Sequence, residues 1–375
     1  MERLASTSDP AHKNIGVIGL GIIGRAVAAH LRRKGLPVFV WNRSPRPVPN
    51  FVGSPGELAT LCNFIQIFVS DDEALLQTME ELSADLVPRH IVLAHSTVAP
   101  NSMRAAAEVV ECRGARFVEA SFTGSKLAAE KGELVYYVGG TARALREARP
   151  ILEASSKEIV EIGAVGQASA IKIATNMITA ASVQAAAEAL ALVQALEVPL
   201  EKFVEAMRAN ASHSTTLAMK LPKMLEGDFE PHFSVKHMLK DMQIASQIAL
   251  SRYLDLGLTA AARDQLVEQM QWGHGDYDYS AVARKFLHDT APAVYEKPQM
   301  EAQGEQSDAG EPVTATSAAV TPVPAAQDPS AMSAQARKLS GLSFSGAGDG
   351  SAHAALPLRR GFLRQLLSRF SSGEG

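Results

Sequence analysis

Residues 15–24, Ile15-Gly16-Val17-Ile18-Gly19-Leu20-Gly21-Ile22-Ile23-Gly24, decide how the chain folds. The apolar, β-branched run reads as a buried strand. The helical pattern Arg25 to Lys34 that follows it closes on Gly35, a residue type suited to a helix C-terminal cap. The three glycines between strand and helix have separate jobs: Gly19 permits a tight turn, Gly21 removes the Cβ that would hold a pyrophosphate off the backbone, and Gly24 lets helix pack closely on strand. Free N–H groups at the helix N-terminus then present partial positive charge to phosphates. In this strand-to-helix setting Gly19, Leu20, Gly21, Ile22, Ile23 and Gly24 are predicted to cradle a dinucleotide; the bare glycine pattern would be weak evidence.

The next strand, Val38 to Trp41, ends in Asn42-Arg43-Ser44, about 20 residues on, where a site selective for NAD offers an acidic residue to the ribose hydroxyls. No carboxylate stands there. A guanidinium makes charge-assisted bonds with a dianionic phosphate, so Asn42, Arg43 and Ser44, with help from Arg46, predict NADP(H) in preference to NAD(H). Ser70 and Asp71 end a third strand, where loops at the carboxyl ends of parallel strands face the nucleotide crevice. Asp71 and Asp72 serve equally as N-caps for the run that follows.

Working outward, the runs IGVIG, PVFVW, FIQIFVS, HIVLAHS, ARFVEAS and LVYYVGG alternate with helical patterns from Asn14 to about Gly163, the signature of a largely parallel sheet covered by helices on both faces. After Gly166 the composition turns to Ala, Leu, Met and Gln, with apolar residues at helical spacing to about Leu287. The expected architecture is an α/β Rossmann-type dinucleotide-binding domain over 12–164, then an all-α domain over 165–290 for substrate and dimerisation. Its first helix, Gln167 to Leu196, would run about 45 Å as an interdomain spine or subunit contact. Residues 291–375, rich in Pro, Ala, Gln, Ser and Thr, bury too little apolar surface to offset their ordering entropy and read as a disordered tail. Within it, 356–370 sets Phe362, Leu363, Leu366, Leu367 and Phe370 on one helical face with Arg359, Arg360, Arg364 and Arg369 largely elsewhere, a basic amphipathic segment or a transient helix at a loose end.

The 375 residues are 46% hydrophobic, enough for two cores, and the formal charge of −4 gives no chain-wide field to hold nucleic acid. Even the Ala-rich stretch 168–195 is interrupted by Lys172, Asn176, Gln184 and Glu188, so no bilayer span and no stable membrane association is expected. Glu2 and Asp9 replace the apolar core of a secretory signal, and two sparse cysteines, Cys62 and Cys112, suit a reducing compartment; a cytoplasmic protein is expected. His95, His213, His232 and His237 form no spaced metal set, and no nucleophile elbow or kinase motif occurs, which leaves metal, hydrolase and phosphotransfer chemistry without a motif.

Three further stretches carry chemistry: Glu119-Ala120-Ser121-Phe122-Thr123-Gly124-Ser125-Lys126, then Gly166 to Met177 with Lys172 and Asn176 one helical turn apart, then Phe233 to Met242 with Lys240 and Asp241. With the glycine turn and His95-Ser96-Thr97-Val98-Ala99-Pro100, in this order, they resemble the β-hydroxyacid dehydrogenase family, related to 3-hydroxyisobutyrate dehydrogenase, and within it the glyoxylate and succinic semialdehyde reductase branch. The resemblance runs from about Asn14 to Phe286. It implies a metal-independent, NAD(P)-linked interconversion of a small carboxylate-bearing aldehyde or 2-oxo acid with its hydroxy acid, in a homodimer or higher homo-oligomer, the substrate lying between the two domains. It places the catalytic lysine at Lys172, Thr97 beside nicotinamide and substrate, the substrate loop at Thr123, Gly124 and Ser125, and Phe233, Lys240 and Asp241 over the closed site.

The residues support the same chemistry. Hydride addition to a carbonyl builds negative charge on oxygen, so a proton donor and a hydrogen-bond donor must converge there, and Lys172 and Asn176 supply both from one helix face. Thr123-Gly124-Ser125 offers hydroxyls and open backbone N–H groups to a carboxylate. Ser121 stands where Pro is usual and Thr123 where Ser is usual, and the extra methyl narrows the pocket. Two other readings share the plan: an imine reductase, which usually lacks a lysine at the Lys172 position, and a non-catalytic NADP-binding scaffold.

Overall fold

The computed structural model describes residues 14–287; the segments 12–13 and 288–375, including the expected tail and its amphipathic end at 356–370, lie outside the described residues. Seven strands form one sheet in the order β2-β1-β3-β4-β5-β6-β7. They are β1 Ile15–Ile18, β2 Val38–Trp41, β3 Phe64–Ile67, β4 Ile91–Ala94, β5 Arg116–Thr123, β6 Leu134–Gly140 and β7 Ser156–Gly163. Strands β1 to β5 pair in parallel, with Val17 level with Val40 and Gln66. Buried on both faces, β1 and β4 carry apolar residues at nearly every position, as a doubly covered parallel sheet demands.

The covering helices are α1 Ile22–Arg33, α2 Pro55–Leu61, α3 Asp72–Ser83, α4 Pro100–Glu111, α5 Lys126–Lys131 and α6 Ala142–Glu153. One core joins the sheet to α2, α3 and α4 through Leu58, Leu75, Met79, Leu82 and Met103. The other joins it to α1, α5 and α6 through Val27, Leu31, Ala129, Ala148 and Leu152. Each is a continuous apolar layer, so the sheet is clamped from both sides and its carboxyl edge is held rigid.

Two features depart from the strand pattern in the sequence. Strand β6 runs antiparallel to β5. Residues 124–133 hold only the short α5 before Gly132 turns the chain at φ 73°, and so short a connection returns the chain beside the strand it left rather than crossing the sheet. Strand β7, absent from the six expected runs, pairs in parallel with β6 at the sheet edge. Its sequence SKEIVEIG alternates charge and apolar residues, because only one face of this edge strand is covered.

Beyond the sheet come α7 Gln167–Ala195, α8 Leu200–Arg208, α9 Thr215–Glu226, α10 Val235–Ser251 and α11 Gly257–Gln271, then a 3₁₀ turn, Tyr279–Lys285. By length and composition α7 is apolar enough to cross a bilayer, contrary to the expectation drawn from its polar interruptions. Its setting explains the composition without a membrane: Ala180, Val183, Ala187 and Leu190 pack in a shared core with Leu221, Met238, Met242 and Leu266. Small Ala side chains let the neighbouring helices approach, while the polar Asn176 and Gln184 are buried against protein partners.

Candidate active site

Apart from Lys240, which α10 carries, the residues expected to touch cofactor lie at the carboxyl edge of the parallel strands. Gly19, directly after β1, has φ 92°, and a Cβ there would stand 2.0 Å from the Phe68 carbonyl oxygen. Gly24 is held as tightly, since its Cβ would lie 2.1 Å from the Gly19 oxygen. Gly21 is different: a Cβ there would meet nothing within 4 Å, and no side chain caps the α1 N-terminus that it begins. An uncapped first turn of N–H groups beside open space fits a pyrophosphate, the group that such a turn is built to hold.

The turn is braced by a side chain that the sequence reading gave to the ribose. Asn42 Oδ1 accepts from Leu20 N at 2.9 Å and its Nδ2 donates to the Ser44 carbonyl at 2.8 Å, so Asn42 points into the turn and fixes its shape. Arg43 and Ser44 remain exposed beside it. Asp71 is likewise engaged: it caps α3 by accepting from Ala74 N at 2.9 Å, and Ser70 Oγ donates to it at 2.6 Å. Burial raises the Asp71 carboxyl, but these two bonds, with Lys240 and Arg43 nearby, outweigh it and hold the group below its ordinary value. Asp72 accepts from Ala99 N at 3.0 Å, tying α3 to the loop that carries Thr97.

A chain of contacts then joins the sheet to the helices. Lys240 Nζ, on α10, donates to the Thr97 carbonyl oxygen and lies 2.8 Å from Asp241 Oδ1. Asp241, fully buried, accepts from Asn176 Nδ2 on α7 at 2.6 Å. One turn before Asn176 stands Lys172, partly buried, whose Nζ has no hydrogen-bond partner among the described residues. Desolvation lowers its pKa to about 8; Asp241 pulls the other way and Lys240 adds a smaller push downward. The structure therefore gathers Thr97, Asp71, Lys172, Asn176, Lys240 and Asp241, and leaves one uncommitted amine among them.

Thr123 ends β5 at the same sheet edge, and Gly124 follows it with φ 134°. No hydrogen bond ties Thr123, Gly124 or Ser125 to the Lys172 cluster among the described residues. Ser125 Oγ accepts from Ala128 N at 3.3 Å and so caps α5, a local task that still leaves its O–H to donate to a ligand. Phe233 sits just before α10, its ring 5.9 Å from that of His237 and 6.1 Å from that of Tyr279.

What holds Phe233 there was invisible in the sequence. Lys220 Nζ on α9 meets both carboxylate oxygens of Asp278 at 2.7 Å, with both side chains buried. Asp278 also accepts from His232 N at 3.0 Å and from Ser280 Oγ at 2.7 Å. Lys220 and His232 lie 58 and 46 positions away from Asp278 in the chain, so no local spacing announces them.

Sheet, glycine turn and appended helical unit together define a two-domain, dinucleotide-dependent oxidoreductase. Residues 14–163 match the family described as the NAD binding domain of 6-phosphogluconate dehydrogenase. Residues 166–286 match that described as NAD-binding of NADP-dependent 3-hydroxyisobutyrate dehydrogenase. The chain belongs to the β-hydroxyacid dehydrogenase family, whose members are NAD(P)-dependent enzymes acting on CH–OH and C=O groups. It is 30% identical to the L-threonate dehydrogenase of Cupriavidus necator over 285 residues, 73% of this chain and 96% of that one. It is 27% identical to glyoxylate/succinic semialdehyde reductase 1 of Arabidopsis thaliana over 278 residues, 72% of this chain and 96% of the relative. The fold is similar to that of the Mycobacterium tuberculosis 3-hydroxyisobutyrate dehydrogenase with L-serine, with TM-score 0.66 and 23% identity over 74% of this chain and 99% of that one.

Proposed function

We propose that the protein is an NADP(H)-dependent reductase of a small carboxylate-bearing aldehyde or 2-oxo acid, with Lys172 as proton donor. The observation that carries the reading is the unpartnered Lys172 amine, buried enough to titrate near 8, beside an Asn176–Asp241–Lys240 network whose other end holds the Thr97 loop. Gly19, Gly21 and Gly24 would hold the pyrophosphate of the dinucleotide, whose reduced nicotinamide would supply the hydride. The Lys172 ammonium gives its proton to the carbonyl oxygen as charge develops there, and the resulting amine regains a proton from solvent. Asn176 and Asp241 hold the α7 and α10 faces together around that amine. Thr97, whose hydroxyl makes no hydrogen bond among the described residues, Thr123 at the end of β5 and Gly124 after it are assigned to the substrate.

The relatives named for glyoxylate, succinic semialdehyde and threonate chemistry support a short carboxylate, and the Thr123 methyl favours a small one. A panel of glyoxylate, succinic semialdehyde, methylmalonate semialdehyde, tartronate semialdehyde and a cyclic imine, followed by NADPH oxidation, tests this directly. Turnover of the carbonyl acids supports the reading, and turnover of the imine alone overturns it.

NADP(H) is favoured by the exposed Arg43 at the end of β2 and by the lack of any carboxylate in Asn42-Arg43-Ser44. Arg43→Asp is expected to raise KM for NADPH at least tenfold while improving that for NADH, since a carboxylate repels a 2′-phosphate and accepts from ribose hydroxyls. An unchanged NADPH/NADH ratio would remove Arg43 from this role. Self-association is the expected assembly. Ile178, Leu250, Tyr253 and Leu258 are 69%, 80%, 98% and 71% exposed, apolar surface that a second copy of the chain would cover.

A further inference from the structure

One buried carboxylate takes no part in the chemistry above. Glu119, in the middle of β5, is fully buried, and its side chain reaches the first turn of α7. Oε2 accepts from Gly166 N at 2.6 Å and Oε1 accepts from Ser169 N. Burial raises the pKa of this carboxyl above its ordinary value, while the Gly166 and Ser169 N–H groups pull the other way. The side chain occupies a slot kept open on β6: Gly139 pairs with Glu119, and a Cβ there would lie 2.9 Å from Oε2. Gly166, the residue that starts α7, makes no side-chain cap of its own. Two N–H groups at the start of this long helix are thus satisfied from the sheet.

The consequence lies in what the two ends carry. Four residues beyond Glu119 the same strand ends in Thr123, and three residues beyond Ser169 the same helix presents Lys172. We propose that Glu119 is a positioning residue, anchoring the first turn of α7 to β5 so that the Lys172 amine keeps its partly buried place at a fixed distance from the substrate loop. The proposal rests on the reading of Lys172 as the acid, but it also makes a claim about the amine itself. Without the carboxylate, the N–H groups of Gly166 and Ser169 must find water, the first turn shifts, and Lys172 gains solvent.

The test compares wild type with Glu119→Gln and Glu119→Asp in the full chain, each first checked for a cooperative thermal transition. The rate at which acetic anhydride modifies Lys172 is followed against pH by peptide mass spectrometry, with kcat for carbonyl reduction measured alongside. Glutamine keeps the volume but turns an N–H₂ toward N–H donors, so in that variant the labelling midpoint is expected to rise from about 8 toward the ordinary lysine value, and kcat to fall about 10²-fold. KM for NADPH should stay within about twofold, because the glycine turn is untouched. Aspartate, which restores the charge, should recover part of both effects. A labelling midpoint and kcat equal to wild type in a folded Glu119→Gln protein would overturn the proposal. A wild-type amine that titrates near 8 and shifts in the variant, in a protein that reduces no carbonyl acid, would uphold the positioning role while refuting the proposed function.

Discussion

Replacing Lys172 with alanine is expected to lower kcat for carbonyl reduction by about 10²–10⁴-fold, the range over which a positioned general acid contributes. NADPH affinity, read by fluorescence titration, should change little, because Lys172 lies on α7 while the glycine turn and Arg43 belong to the sheet unit. A fall in kcat and kcat/KM together marks an interaction made in the transition state. If KM rose alone with kcat intact, the amine would be a binding group and the proton would have to come from elsewhere. Wild-type turnover in the variant would remove Lys172 from the chemistry altogether.

The second large effect concerns stability. Asp278→Ala leaves the Lys220 ammonium buried without its partner, and breaking one side of a buried pair costs about 3–5 kcal/mol. The same change orphans the His232 and Ser280 donors that the carboxylate satisfies. At roughly 2–4 °C per kcal/mol for a chain of this size, the thermal midpoint should fall by about 10 °C. Burial raises the Asp278 carboxyl, but Lys220 and Ser280 outweigh it and hold the group below its ordinary value. The stabilisation is therefore in place above about pH 4 and is lost as pH falls through the depressed folded value. Replacing both partners with apolar residues of similar size should recover much of the loss, which distinguishes a buried charge left alone from a packing defect. A melt unchanged in Asp278→Ala would show that the pair contributes nothing.

Local signals made the nucleotide half readable. Gly19, Gly21 and Gly24 act through backbone geometry that any strand-to-helix turn of this kind must satisfy, and each has the surroundings that its residue type requires. Likewise the Lys172–Asn176 spacing follows from the helix repeat alone. What could not be read was any pairing across the chain. Asn42 was expected at the ribose, yet its oxygen is taken by Leu20 N, 22 positions away. Ser125 was expected at the substrate and also caps α5 through one accepted bond, a task that a serine opening a short helical run signals. The reversal of β6 depends on the shortness of the preceding connection rather than on the residues of the strand, which look like those of any buried strand. Asp241 shows the same limit: its position was expected to close the site, but its bond to Asn176 spans 65 residues and appears only when α7 and α10 pack together.

The pH dependence of kcat for reduction tests the central claim most directly. With the Lys172 pKa near 8, the amine is protonated and competent below that value, so kcat should be level in mildly acidic to neutral solution and fall about tenfold per pH unit above the midpoint. Oxidation of the product hydroxy acid, which needs the neutral amine as base, should rise through the same midpoint. A reduction rate that stays flat to pH 10, with oxidation equally unresponsive, would contradict the assignment of Lys172 as the group that exchanges a proton with the reacting oxygen.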